Sequence, residues 1–162
     1  MKKEKKKKAE IFGIDLIIAS FIFGAAAILL FHLASTKPYS ETETMLKEAE
    51  KLSNILLSEG YPKDWQSVSE NEIKIVGLGT GRKNEISKEK MERLKQLASN
   101  NYGLTKELLS VRYDYNISIV DENKNILSSA GKPLEGVENI IKITRIVIYE
   151  KKPALLEIYL IK

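Results

Sequence analysis

The 162-residue chain has no cysteine, one histidine and one tryptophan. Without cysteine there are no disulfides, thiol nucleophiles or thiolate metal sites, so any folded part is held by packing alone. The single histidine, His32, lies inside an apolar run, which removes the usual general base and zinc ligand from any polar site. No carboxylate pair or metal-ligand cluster stands out either. Neither an enzyme nor a cofactor or metal is expected, and an anchored hydrolase has almost no support.

An excess of one charge is lacking over most of the chain. The total is 26 basic and 22 acidic residues, yet residues 1–10 alone carry six lysines and two glutamates. From Ile11 onward there are 20 of each sign. A pI near 9 would ordinarily suggest nucleic acid. Here the excess sits in one short tail beside an apolar segment, so a topology signal and contact with anionic lipid explain it, and no nucleic-acid partner is expected.

That segment runs from Ile11 to Ala34 and is almost unbroken. As a helix it makes a rod of roughly 36 Å, long enough to cross a bilayer core with some tilt. Flanking lysines favour the cytoplasmic side, which puts the amino terminus in and the carboxyl-terminal domain out. The core is longer than the 7–15 residues typical of a cleaved secretory signal. The best small-residue site, after Ala34, also has His32 three residues before the cut. A retained helix in a single-pass membrane protein is expected, and about 128 residues follow it, enough for one domain.

Where tail meets helix the sequence reads Lys7-Lys8-Ala9-Glu10-Ile11-Phe12-Gly13-Ile14-Asp15-Leu16. A short basic tail, a small residue and a long apolar helix resemble the class III signal of type IV pilin-like proteins, most closely the archaeal ones. The resemblance implies that a prepilin peptidase cuts between Ala9 and Glu10, within Lys8-Ala9-Glu10-Ile11. Bacterial pilins prefer Gly before the cut, Phe after it and Glu at the fifth mature position. Here Ala9 precedes the bond, Glu10 is first and Asp15 is sixth. By the same resemblance Asp15 pairs with the free amine of a neighbouring subunit at Glu10, setting register in a filament. The plainer reading is that Asp15 reaches interfacial water and Lys8. Gly24-Ala25-Ala26-Ala27 offers a small-residue patch for close helix approach, an ordinary feature of membrane helices.

Beyond the membrane segment, Ser35–Ser40 with Pro38 read as a break or bend. An amphipathic helix then runs from about Glu41 to Ser58, with Met45, Ala49, Leu52 and Leu56 on its apolar stripe. Gly60 sits where a left-handed cap is expected and Pro62 stops the helix. Tyr61 and Trp65 are the candidate surface contact, an adhesive or sugar-binding aromatic pair. The commoner use of such residues is as a lid folded back on the core. "GYPKDW" followed by Ile75-Val76-Gly77-Leu78-Gly79 resembles a segment recurring in archaeal pilin-like ectodomains.

Gly77-Leu78-Gly79-Thr80-Gly81-Arg82-Lys83 fails the P-loop spacing and the dinucleotide fingerprint, and reads as a mobile strand-to-helix loop. Ser87 caps a helix to about Ser99. The match of Ser87-x-x-Lys90 to serine-nucleophile enzymes lacks its companion motifs. A short helix follows at Thr105–Ser110. Val111, Tyr113, Tyr115, Ile117 and Ile119 alternate with polar residues, marking a half-buried strand. A return strand at Ile126–Ser128, a long strand at Ile140–Tyr149 and a last strand at Leu155–Ile161 complete an antiparallel sheet. Asn116 heads the one glycosylation sequon, mid-strand, where modification is not expected.

The expected class is α+β, with basic leader 1–10, transmembrane helix 11–34, linker and spine helix 35–60, and head 61–162. The resemblance implies a structural subunit of a type IV pilus-like filament or its membrane platform. Its partners would be prepilin peptidase, other pilin-like subunits and membrane lipid. The alternative is an uncut, membrane-anchored binding or sensor ectodomain, in which Tyr61, Trp65 and the Gly77–Gly81 loop would be the ligand surface.

Overall fold

A computed structural model describes residues 2–35, 41–137 and 139–162. The expected bend at Pro38 lies outside the described residues. The chain divides into two compact units, Met1–Tyr39 and Ser40–Lys162. The first consists of helix α1, Lys2–Ser35. It starts well before the expected Ile11, because Lys, Glu and Ala are all strong helix formers and nothing in the leader breaks the ladder. Asp15–His32 forms one stretch long and apolar enough to cross a membrane.

The second unit is α+β. Helix α2 (Glu41–Leu57) is followed by two 3₁₀ turns, Trp65–Ser67 and Glu70–Glu72. Then come strand β1 (Glu85–Ile86), helix α3 (Lys88–Asn100) and helix α4 (Tyr102–Leu108). The chain ends in β2 (Asp114–Val120), β3 (Ile126–Gly131), β4 (Ile140–Tyr149) and β5 (Lys152–Ile161). The sheet order is β1-β4-β5-β2-β3, antiparallel except for the β1–β4 pair.

The hairpin between β4 and β5 turns on Glu150 and Lys151 alone, both at positive φ (49° and 65°). That is the twist a two-residue loop needs to match its strands. It draws Lys152 and Pro153 into the ladder, three residues earlier than the expected start of the last strand.

Both long helices cover the same face of the sheet. Arg145 of β4 donates to Ser53 Oγ of α2 at 2.9 and 3.2 Å, and Ser128 of β3 donates to Glu92 of α3 at 3.2 Å. Between them Leu52, Leu56, Met91, Leu94, Leu97, Ile117, Ile119, Leu156, Ile158 and Leu160 form a core without solvent contact. Alternation along the strands therefore places Ile141, Ile143, Arg145 and Val147 inward, and Lys142, Thr144, Ile146 and Ile148 on the open face.

One expectation is corrected on β2. Asn116 and Ser118, read as its solvent side, are 7% and 4% exposed. Strands on both sides and a hydrogen-bonded chain explain it: Asn116 Nδ2 donates to the Lys132 carbonyl at 2.7 Å, and Ser118 Oγ donates to Asn116 Oδ1 at 2.6 Å. The sequon asparagine is thus occupied and covered, and the folded head leaves no room for a glycan there.

Candidate functional site

Two regions carried the functional expectations: the start of the membrane helix, and the aromatic segment after α2. The backbone of Lys8–Ile11 is helical within α1, and the side chains of these four residues lie outside what the structure describes. Asp15 is exposed on the helix surface. At 100° per residue it shares a face with Ala19 and Ala26, while Ser20, Gly24 and Ala27 lie on the opposite face. Ser20 Oγ returns to the Leu16 carbonyl at 2.9 Å, so its hydroxyl is satisfied within the helix. Gly24 has nothing within 4 Å of where a Cβ would stand.

From Leu16 to Phe31 the helix is apolar on all sides apart from Ser20. Leu16, Ile17, Phe21, Phe23, Ile28, Leu30 and Phe31 are all exposed. In water that surface is strongly unfavourable, at about 25 cal/mol per Å². A helix hydrophobic all round belongs in lipid or in a bundle of other helices.

In the head, the aromatic segment and the glycine loop close on one another as a knot over the end of α2. Trp65 is fully buried, and its Nε1 donates to the Gly77 carbonyl at 2.7 Å. Its indole is a core lid and presents no surface, which corrects the candidate surface contact at this residue. Tyr61, by contrast, is 63% exposed. Its backbone bridges to Ile75, accepting from Lys74 N at 2.9 Å and Ile75 N at 3.0 Å.

The glycine loop is locked rather than mobile. Leu78 N donates to the Leu56 carbonyl at 2.7 Å and Gly79 N to Ser58 at 2.8 Å, so the loop supplies donors to carbonyls that the end of α2 leaves open. The approach is close enough that a Cβ on Gly77 or Gly79 would meet the backbone of residues 57 and 58. Gly60 takes φ +78° beneath it, the left-handed cap read from the sequence. Lys90 of α3 closes the knot from below, donating to the carbonyls of Glu59 at 2.7 Å and Gly79 at 2.9 Å. Burial pushes its ammonium pKa down.

This arrangement decides what the glycine loop can do. A phosphate cradle needs free backbone N–H groups, and here those of Leu78, Gly79 and Thr80 are spent on Leu56, Ser58 and Glu85. The Ser87–Lys90 pair is equally committed: Ser87 Oγ accepts from Lys90 N at 3.4 Å as the cap of α3 and donates to Glu89 at 2.5 Å. Among the described residues no group of three His, Cys, Asp or Glu side chains is placed to hold a metal ion.

One concavity of about 670 Å³ lies between the β2–β3 and β4–β5 turns, lined by Leu127, Pro153, Glu122, Glu150 and Lys152 among others. Sequence reasoning passed over it because its lining comes from two turns some 30 residues apart. The local pattern of neither turn signals a site. No protein-family model, curated protein or solved structure matches the chain.

Proposed function

We propose that the chain is a pilin-like structural subunit, cut by a prepilin peptidase between Ala9 and Glu10. Its retained helix then assembles with other copies into a type IV pilus-like filament or its membrane platform. The head faces outward on the far side of the membrane from the basic leader.

The observation that carries this reading is the inequality between the two units. The head buries its own core and needs no partner to do so. Among the described residues the stretch Asp15–His32 is not buried, so its partners are lipid, other helices, or both in turn. A subunit stored in membrane and later polymerised uses both. Asp15 adds direction: a carboxylate at the sixth position of the new chain suits a neighbour's Glu10 amine.

The experiment is mass spectrometry of the mature amino terminus on protein taken from native membranes. A terminus at Glu10 is expected. An intact terminus would instead favour the anchored binding ectodomain, with Tyr61 as the first residue to probe. A terminus at Ser35 would mean the anchor is removed, ending both readings.

A further inference from the structure

The open face of the sheet carries an apolar row where solvent-facing residues should be polar. Ile146, Leu155, Val120 and Ile126 are cross-strand neighbours on β4, β5, β2 and β3; Val120 at the centre is buried and Leu155 half-buried, so the two ends carry the exposed apolar surface. The two ends of the row are the most open, Ile146 at 74% and Ile126 at 67% exposed. Ile148 extends the row toward the β4–β5 turn and is also exposed. Three strand spacings separate the row's ends, about 14 Å.

We propose that this face is the contact between the heads of two copies of the chain, paired face to face about a two-fold axis parallel to the strands. Two arguments single out a second copy. The first is charge. Both hairpin turns flank the same end of the row and have opposite signs. The β2–β3 turn holds Asp121, Glu122 and Lys124, while the β4–β5 turn holds Glu150, Lys151 and Lys152. Glu150 is taken up by Lys88 at 2.6 Å, which leaves Lys151 and Lys152 as the outward charges. Rotation by 180° about the strand direction lays Ile146 of one copy over Ile126 of the other. It also lays each acidic turn over a basic one, twice. An anionic lipid surface would instead favour two basic turns.

The second argument is area. The exposed apolar side chains on this face are few, Ile146, Ile148 and Ile126, well short of the roughly 20–30 residues that each partner of a stable complex buries. Such a pair is short-lived between free heads. It persists when both copies are held at one membrane, where tethering raises the effective concentration to about the millimolar range. The pairing rests on α1 as an anchor and not on cleavage of the leader, so it survives an intact amino terminus.

The absence of native cysteine makes the test direct. Full-length Ile146→Cys and Ile126→Cys chains carrying different tags are co-reconstituted in phosphatidylcholine vesicles and mildly oxidised. A disulfide forms only where Cα atoms come within about 7 Å. The mixed 146–126 product should exceed either self-linked product by about tenfold. Random collision would give it only twice the yield of each, and that result, or no cross-link at all, overturns the pairing. Glu122→Lys should reduce the mixed product, and adding Lys152→Glu should restore it; failure of that rescue removes the charge argument. A polarity-sensitive dye at Ile146→Cys that reports an apolar environment in vesicles holding single copies would assign the face to lipid and overturn the proposal.

Discussion

Lys90 is 5% exposed, and its ammonium spans the carbonyls of Glu59 and Gly79 without a carboxylate in hydrogen-bond contact. The cation therefore stands at the negative end of α2, where the helix dipole and two unpaired carbonyls attract it. Its own desolvation opposes this. Lys90→Met keeps the length of the side chain and removes both bonds. Orphaning buried acceptors costs about 1–3 kcal/mol each way the balance is drawn, so the variant should unfold at lower temperature or urea, read by circular dichroism on the full chain in detergent. A variant as stable as the parent would show that burying the charge costs as much as its two bonds return.

Trp65 allows a second measurement on the same knot, because it is the only tryptophan. Its emission should be blue-shifted and resistant to acrylamide, and should move red as the knot opens. Trp65→Phe keeps most of the apolar volume and loses the bond to the Gly77 carbonyl, for an expected cost of about 1–3 kcal/mol. Trp65→Ala adds a cavity and should cost about 3–5 kcal/mol. Native emission typical of water-exposed indole would contradict the buried position.

The long elements of the head are legible in the sequence because each has one dominant period. Leu52 and Leu56 give α2 away, Leu94 and Leu97 give α3, and the alternation from Ile140 to Tyr149 delimits β4. What period alone misleads about is which side faces in. On β4 the inward set includes Arg145 and the outward set includes Ile146 and Ile148, the reverse of a simple polarity rule. The reason is tertiary: α2 offers Ser53 to the guanidinium, while Ile146 and Ile148 stay exposed. Strand β1 is two residues long and parallel, too short to carry a pattern. The glycines of the Gly77–Gly79 loop announce close approach, but only the fold shows that the approached partner is the end of α2. At the membrane helix, length and apolarity are plain in sequence, whereas what covers it depends on other molecules.

Titration of the head should be asymmetric. Burial pushes the Tyr102 hydroxyl up to about 12, against the pull of the Tyr115 N–H that it accepts at 2.9 Å. Burial also raises Tyr115 and Tyr149. A tyrosine whose folded pKa exceeds its unfolded value contributes stability below pH 10 and loses it as pH climbs toward 12. Lys90, with its pKa lowered, works in the opposite sense over the approach to pH 10.5, but it is one group against four, since burial raises Tyr159 as well. Stability should therefore fall between about pH 10 and 12, with phenolate absorbance at 295 nm rising in step with unfolding. Ionisation of Tyr102, Tyr115 or Tyr149 near pH 10 in a head still folded would contradict this.

At the acid end Asp114 is the group to follow. Burial draws its carboxyl upward, but hydrogen bonds from Lys132 at 2.5 Å and Lys106 at 3.1 Å together outweigh it and leave the pKa lowered. A carboxylate depressed on folding stabilises above its unfolded pKa near 3.8 and loses that contribution as pH falls through its folded value. Asp114→Asn should lower the melting temperature at pH 7 and flatten its dependence below about pH 4. Equal melting temperatures at pH 7 would mean that the two lysines merely screen a solvated charge.

Asp15 separates membrane insertion from assembly. Inside an apolar helix a carboxylate costs roughly 2.5–3.5 kcal/mol at the centre of a bilayer and less toward an end, so a residue kept there against that cost needs a compensating contact. Asp15→Ala removes the cost, and insertion should be as efficient as in the parent or better. If Asp15 meets a neighbour's amino terminus, the same change should remove the chain from high-mass assemblies in native membranes while its level in the membrane fraction holds. Asp15→Asn, which keeps the size and hydrogen bonding of the side chain, should fail in the same way because the contact requires charge. Assembly at the parental level by either variant would leave Asp15 as an interfacial carboxylate and require the helix register to be set elsewhere along the apolar surface.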